Sequence, residues 1–263
     1  MRVLFAGSPE IALPSLEALA AEGLVAGVLT NPDAQRGRGL GAAPTPVALA
    51  AERLGLPVLK PERLGAEARE AAAALKAELL VSFAYGRIFG PKFLALFPRG
   101  GLNVHPSLLP KYRGCAPIPA AILHRDAETG VAVQRLALAM DEGELLAVER
   151  LPLSGRETTE SLSALAATVG AGLLLRVVRE LEEGRESGRP QEGEASYCSL
   201  LAKEDGLLHW DESALDLDAR VRAFHPWPGA FTWLKGQRLT ILESEAYPGE
   251  VWAGPPPPAG GQT

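Results

Sequence analysis

Cysteine is scarce in this chain: Cys115 and Cys198 are its only two in 263 residues, and neither has metal-ligand spacing. That argues against a disulfide framework or a structural zinc site, fits a reducing compartment, and makes both thiols bystanders. Positive charge is also short. Lys and Arg number 26 against 32 Asp and Glu, a net charge of -6, and the pI is near 5.4. Phosphate contacts rest on cationic side chains, so a protein whose whole surface binds nucleic acid is disfavoured, while a small basic patch stays open. No apolar run approaches the ~20 residues that cross a bilayer, and the start MRVLFAGSPE lacks the regions of a signal peptide. The expectation is a cytoplasmic protein with no membrane partner.

What is present is ordinary for a globular chain, 47% hydrophobic and 22% charged. The length suits one large domain plus a smaller one. Residues 2–6 form a short apolar run that ends at Gly7-Ser8-Pro9, after which Ile11, Leu13, Leu16, Leu19 and Ala20 recur at helical spacing. That reads as strand, turn, helix. Further strands are predicted over 24–29, 56–59 and 78–83, with Ala-rich amphipathic helices between them, a fifth at GLNVH from Gly101, and a sixth over 130–138 after a helix over 116–124. Such alternation means an α/β fold, a mostly parallel sheet with helices on both faces. A long amphipathic segment over 158–183, capped among Thr158, Thr159 and Glu160, closes this domain. The predicted layout is a main domain over 1–185, a polar linker over 186–204, and a small β-rich domain over 205–263. In the last, 209–224 reads as a helix, 230–234 and 238–244 as paired strands, and the end GPPPPAGGQT as an extended or disordered tail.

The chemistry concentrates in GLNVHPSLLPKYRG. Side chains alternate across a strand, so Asn103 and His105 share a face, and at the carboxyl end of a central strand they look into the crevice where open α/β sheets bind ligands. An amide and an imidazole aimed at one point can hold a carbonyl and stabilise the oxyanion formed on attack. Taken alone, a strand-end histidine is more often satisfied by a backbone carbonyl. Asp141, in a turn with Gly143 inside LALAMDEGELLA, could return an acid to the same crevice, orient the imidazole and accept a proton. Read alone it is a solvated turn carboxylate.

Taken together, NVHPSLLPKYRG, ETGV at Glu128 and MDEGELL at Met140 resemble the folate-dependent formyltransferases, over about Arg2 to Ser244. FAGSPEIALPSLEAL, NPDAQRGRG, VSFAYGRIFG, RGCAPI and RAFHPWPGAF are similar to the members of that family that act on methionyl-tRNA. The resemblance implies a Rossmann-like catalytic domain that takes 10-formyltetrahydrofolate as formyl donor and passes the formyl group to the α-amine of methionine on initiator tRNA, supporting translation initiation. It implies no metal, and a monomer is expected. It assigns the catalytic asparagine, histidine and aspartate to Asn103, His105 and Asp141, the first two on the oxyanion and the third managing the proton. It draws the folate pocket from Phe83, Tyr85, Gly86, Arg87 and Ile88 on one side and Ser107, Leu108, Leu109 and Pro110 on the other. The glycine-rich loop over 31–45 becomes a tRNA-probing arm carrying Arg36 and Arg38, with Arg38 matching the arginine that enters the acceptor end. A small C-terminal β-barrel of OB-like kind is implied, of which the chain carries the opening helix and first strands. The Pro/Gly-rich stretch from Tyr247 is poor in Lys and Arg, so weaker tRNA binding than in full-length relatives is expected, with an exposed strand edge.

Gly7-Ser8-Pro9 lacks the G-x-G-x-x-G spacing of a dinucleotide site, which argues against NAD. Two rivals stand beside the main reading. One is a formyltransferase acting on a sugar-nucleotide amine or glycinamide ribonucleotide, disfavoured by the 36–39 loop and RAFHPWPG. The other is a non-catalytic folate- or RNA-binding module, disfavoured because all three working positions hold competent residues.

Overall fold

The structure is a computed structural model, which describes residues 1–35 and 41–246. Seven strands make one sheet: β1 (Val3–Gly7), β2 (Val25–Leu29), β3 (Val58–Leu59), β4 (Leu79–Phe83), β5 (Gly101–His105), β6 (Glu128–Arg135) and β7 (Leu145–Pro152), in the order β7-β6-β5-β4-β1-β2-β3. From β3 to β5 the neighbours run parallel, as the strand-helix alternation predicts. β6 and β7 run antiparallel to their neighbours. β7 was not foreseen, because its apolar residues are interrupted by Glu149 and Arg150 at an outer edge where one side meets solvent.

Alternation sorts the core into two layers. Val3, Phe5, Val81, Phe83, Leu102, Val104, Val131 and Val133 pack under α1 (Leu13–Ala21), α2 (Pro46–Arg53) and the long α6 (Thr159–Glu182). Leu4, Ala6, Leu29 and Leu80 face the other way, against α3 (Ala66–Ala74) and α4 (Pro91–Leu94). Helices therefore cover both faces. On the second layer Tyr85, Phe89, Phe93 and Phe97 stack in sequence, with centroids 5.4, 5.5 and 5.8 Å apart.

α6 is capped by Thr158, whose side chain accepts from the Ser161 backbone N–H while Ser161 reaches back, so the box closes through Ser161 rather than Glu160. At 24 residues it is apolar enough to cross a membrane, against the expectation that no segment comes near this, yet half of its apolar window is buried in the protein. Gly170 explains its close approach: a Cβ there would stand 3.1 Å from Val104. Beyond α5 (Pro117–Leu123), the last helix and strands among the described residues are α7 (Ala214–Ala223) and a hairpin of β8 (Ala230–Leu234) and β9 (Gln237–Ile241); the tail GPPPPAGGQT lies outside the described residues. α7 starts later than the apolar pattern suggests, because Ser213 takes the N-cap.

The segment read as a linker is structured. Arg189 exchanges backbone hydrogen bonds with Leu145 at 3.0 and 2.8 Å, and Tyr197–Cys198 pairs in parallel with Arg113–Gly114. This strap crosses the second face of the sheet beside β5 and β6.

Candidate active site

Leu102 and Val104 point toward α6, so Asn103 and His105 point to the opposite face, at the carboxyl end of β5. There the roof is made of loops instead of a helix. The turn after β5 is held by its own serine: Ser107 Oγ donates to the Lys111 carbonyl at 2.6 Å, and the Leu109–Pro110 bond is cis. Leu108 seats over Gly130, where a Cβ would come within 2.4 Å of its methyl, and Leu109 packs on Ala132 and Leu145.

That turn delivers the Tyr112 carbonyl to His105 Nε2, 2.8 Å away. The carbonyl only accepts, so Nε2 carries the proton and the resting ring turns its other nitrogen, Nδ1, to the site. Tyr112 is itself anchored by its hydroxyl on Asp126 at 2.8 Å. Burial, with that hydrogen bond second, pushes the Tyr112 phenol far above its ordinary range, which suits a post and not an acid.

Asp141 comes back into the crevice as the sequence suggested. It has φ +56°, a left-handed conformation that aspartate tolerates better than most residues. Its next-but-one neighbour must be glycine, because a Cβ on Gly143 would lie 1.7 Å from the Arg135 carbonyl oxygen. Oδ1 accepts from Asn103 Nδ2 at 3.2 Å and from Gln134 Nε2 at 2.8 Å, and Oδ2 accepts from the Gly114 N–H at 2.9 Å. Oδ2 also stands 3.6 Å from His105 Nδ1, with side chains 10% and 5% exposed respectively. Burial pushes the His105 pKa below its ordinary 6.5, and the Asp141 charge and the Tyr112 hydrogen bond oppose this. Three hydrogen-bond donors thus converge on the Asp141 carboxylate beside the His105 ring. A group losing a proton nearby could pass it to this pair.

The other predicted contacts are scattered in role. Phe83 is buried against α6 near Gly170, so its side chain belongs to the core. Tyr85 is buried, and its carbonyl accepts from Asn31 at 3.0 Å. Gly86 has φ +77° and turns the loop; Arg87 donates to the Pro61 and Glu62 carbonyls at 2.9 and 2.8 Å. Ile88 stands 79% exposed, as do Leu138 and Met140 at 66% and 50%. Ile88 stands on the loop after β4 at the carboxyl rim, and Leu138 and Met140 on the loop that leaves β6 beside Gly101 and brings Asp141 back to the site; all three are free to meet a flat apolar ligand. Ser107, Leu108, Leu109 and Pro110 serve the turn and its packing on β6. Arg36 and Arg38 lie outside the described residues. Among the described residues no cluster of three or more His, Cys, Asp or Glu could hold a metal ion. Cys198 receives the Ala116 N–H at 3.3 Å and burial raises its pKa, so this thiol is a packing element.

Sequence reasoning missed Gln134, Arg113 and Gln191. Gln134 was the findable one, a lone amide in the otherwise apolar GVAVQ and only 1% exposed.

The formyl transferase family model matches residues 1–178, and the model of the formyl transferase C-terminal domain matches residues 200–256. A methionyl-tRNA formyltransferase of Treponema denticola is 46% identical over 256 residues, covering 94% of this chain and 80% of that protein. One of Thermus thermophilus is 46% identical over 251 residues, covering 95% and 82%. Among solved structures, an N-formyltransferase of Helicobacter canadensis in complex with folinic acid and dTDP-3-aminofucose shares the fold, with TM-score 0.71, 19% identity, and 92% and 86% of the two chains covered. With the sheet, the roofed crevice and its Asn, His and Asp in place, the chain belongs to the formyl transferase family.

Proposed function

We propose that this chain transfers a formyl group from 10-formyltetrahydrofolate to the α-amine of methionyl-initiator tRNA, in the cytoplasm and as a monomer. The observation that carries the chemistry is one carboxylate, Asp141, shared between the Asn103 amide and the Nδ1 side of His105. The acceptor is supported by relatives that name it at 46% identity over most of both chains.

Asn103 Nδ2 carries two hydrogens, and only one is spent on Asp141. The second is available to the formyl oxygen. When the amine attacks the formyl carbon, a C–N bond forms, the carbonyl oxygen becomes an oxyanion and the attacking nitrogen becomes cationic. Asp141 takes the proton that nitrogen must lose, directly or through water, and His105 Nδ1 is placed to share it. The imidazolium so formed sits between Asp141 and the oxyanion and stabilises both. Collapse of the oxyanion breaks the bond to the folate nitrogen, which receives the proton. Nothing covalent forms on the protein. Leaving groups and proton balance without a metal.

The folate fits the exposed apolar side chains Ile88, Leu138 and Met140 and the open amide of Asn103. Formyl transfer from 10-formyltetrahydrofolate is to be measured with methionyl-tRNA, free methionine, glycinamide ribonucleotide and an amino-sugar nucleotide as acceptors. Methionyl-tRNA as the best acceptor supports the reading; a preference for either small nucleotide, or no transfer to any, overturns it.

A further inference from the structure

Asp141 is held from outside as well as from the sheet. Gln191, in the strap, donates Nε2 to the Asp141 carbonyl at 2.7 Å and to the Gly143 carbonyl at 2.9 Å, with Gln134 Oε1 at 3.2 Å. Its Oε1 accepts from Arg113 Nε and Nη2 at 3.2 and 2.8 Å. A guanidinium has only donors and a carboxylate only acceptors, so the orientation of both glutamine amides between Arg113 and Asp141 is fixed by the ends of the chain. The order is Arg113, Gln191, Gln134, Asp141. Arg113 is anchored in turn on Glu142 at 2.9 Å and on the Tyr197 hydroxyl at 3.1 Å, so the network closes around the loop.

The loop needs this support. Asp141 holds a positive φ and Gly143 is pressed against the Arg135 carbonyl, while the carbonyls of both residues are turned to Gln191. Without it, two carbonyls inside a half-buried site lose their donors. We infer that Gln191 is a positioning residue, setting the Asp141 carboxylate against Asn103 and His105 from a segment that belongs to neither β5 nor the loop. The inference rests on the formyl-transfer reading above and adds to it the strap as part of the site. A small error in placing the carboxylate is enough to matter, since displacement by about 1 Å can cost ~100-fold in rate.

The test is Gln191→Leu in the full chain, with Gln191→Glu as the second variant. Glutamate keeps the volume and the Arg113 contact but as a carboxylate has no hydrogen to give the two carbonyls. Two readouts are taken: kcat and KM for formyl transfer with 10-formyltetrahydrofolate and methionyl-tRNA, and the His105 titration followed by NMR on protein labelled at histidine. Both variants are expected to lower kcat by ~10–100-fold with KM for the donor within about threefold. Gln191→Leu is also expected to move the His105 midpoint downward, because an Asp141 that drifts away no longer favours the imidazolium; Gln191→Glu adds a carboxylate charge that itself favours the imidazolium, so that variant is read by kcat alone. A kcat within about twofold of the parent in either variant, or a fall in kcat with the His105 midpoint unmoved in Gln191→Leu, overturns the inference. Should the parent chain itself transfer no formyl group, the functional reading fails, and the His105 titration alone still decides whether Gln191 places Asp141.

Discussion

Gln134 stands directly across the antiparallel ladder from Asn103, and both amides donate to the same oxygen, Oδ1 of Asp141. Residues opposite each other on neighbouring strands project to the same side, so this contact follows from register. The other oxygen, Oδ2, takes the Gly114 N–H and faces His105. One carboxylate thus reads strand β5, strand β6 and the turn after β5 together.

Asn103→Ala removes the side-chain amide proposed to meet the formyl oxygen. Loss of one oxyanion donor costs ~100–1000-fold in kcat. Steady-state kinetics should show that drop with circular dichroism unchanged, because Asn103 is half-buried and its removal opens no large cavity.

His105 should titrate below its ordinary 6.5, and in Asp141→Asn lower still, since the Asp141 charge is what opposes the burial effect. NMR of the imidazole resonances checks both. The sign for stability follows: the folded state binds its proton less readily than the unfolded chain, so stability rises with pH through the window below 6.5. That contribution is complete above 6.5 and is lost as pH falls through the folded pKa. A His105 midpoint above 6.5 in the parent contradicts this electrostatic picture.

Gly143→Ala puts a methyl where the Arg135 carbonyl oxygen stands. The Arg135 carbonyl, at the end of β6, is held by the ladder to β5, so the loop must move and carry Asp141 with it. The expected result is a fall in kcat of ~10–100-fold with the thermal midpoint little changed, measured by formyl-transfer kinetics and calorimetry on the same preparations.

Much of this was legible in the residues and some was not, for reasons of distance along the chain. Short continuous apolar runs marked β1, β2 and β4, and GLNVH marked β5, because a strand buried on both faces is written in its own residues. β7 escaped, since an edge strand with Glu149 and Arg150 reads as a polar segment. Asn103 and His105 could be placed on one face from spacing alone. That Asp141 joins them was expected from its turn with Gly143 and from the resemblance; that His105 uses Nδ1, and that Gln134 shares the carboxylate, depends on the Tyr112 carbonyl and on the loop closing over β6, contacts between residues far apart that no local pattern carries. The strap looked like a spacer because Gln191, Tyr197 and the glycines around them are polar and aperiodic, yet its backbone pairs with Leu145 and with Arg113–Gly114.

The most direct test is single-turnover formylation of methionyl-tRNA by Asp141→Asn at saturating 10-formyltetrahydrofolate. Asparagine keeps the shape, and its carbonyl can still accept from Asn103 and Gln134, but its amide nitrogen cannot accept from the Gly114 N–H and cannot take the proton from the attacking amine. The account predicts a rate lower by ~100-fold or more with donor binding retained. A rate within about threefold of the parent contradicts it.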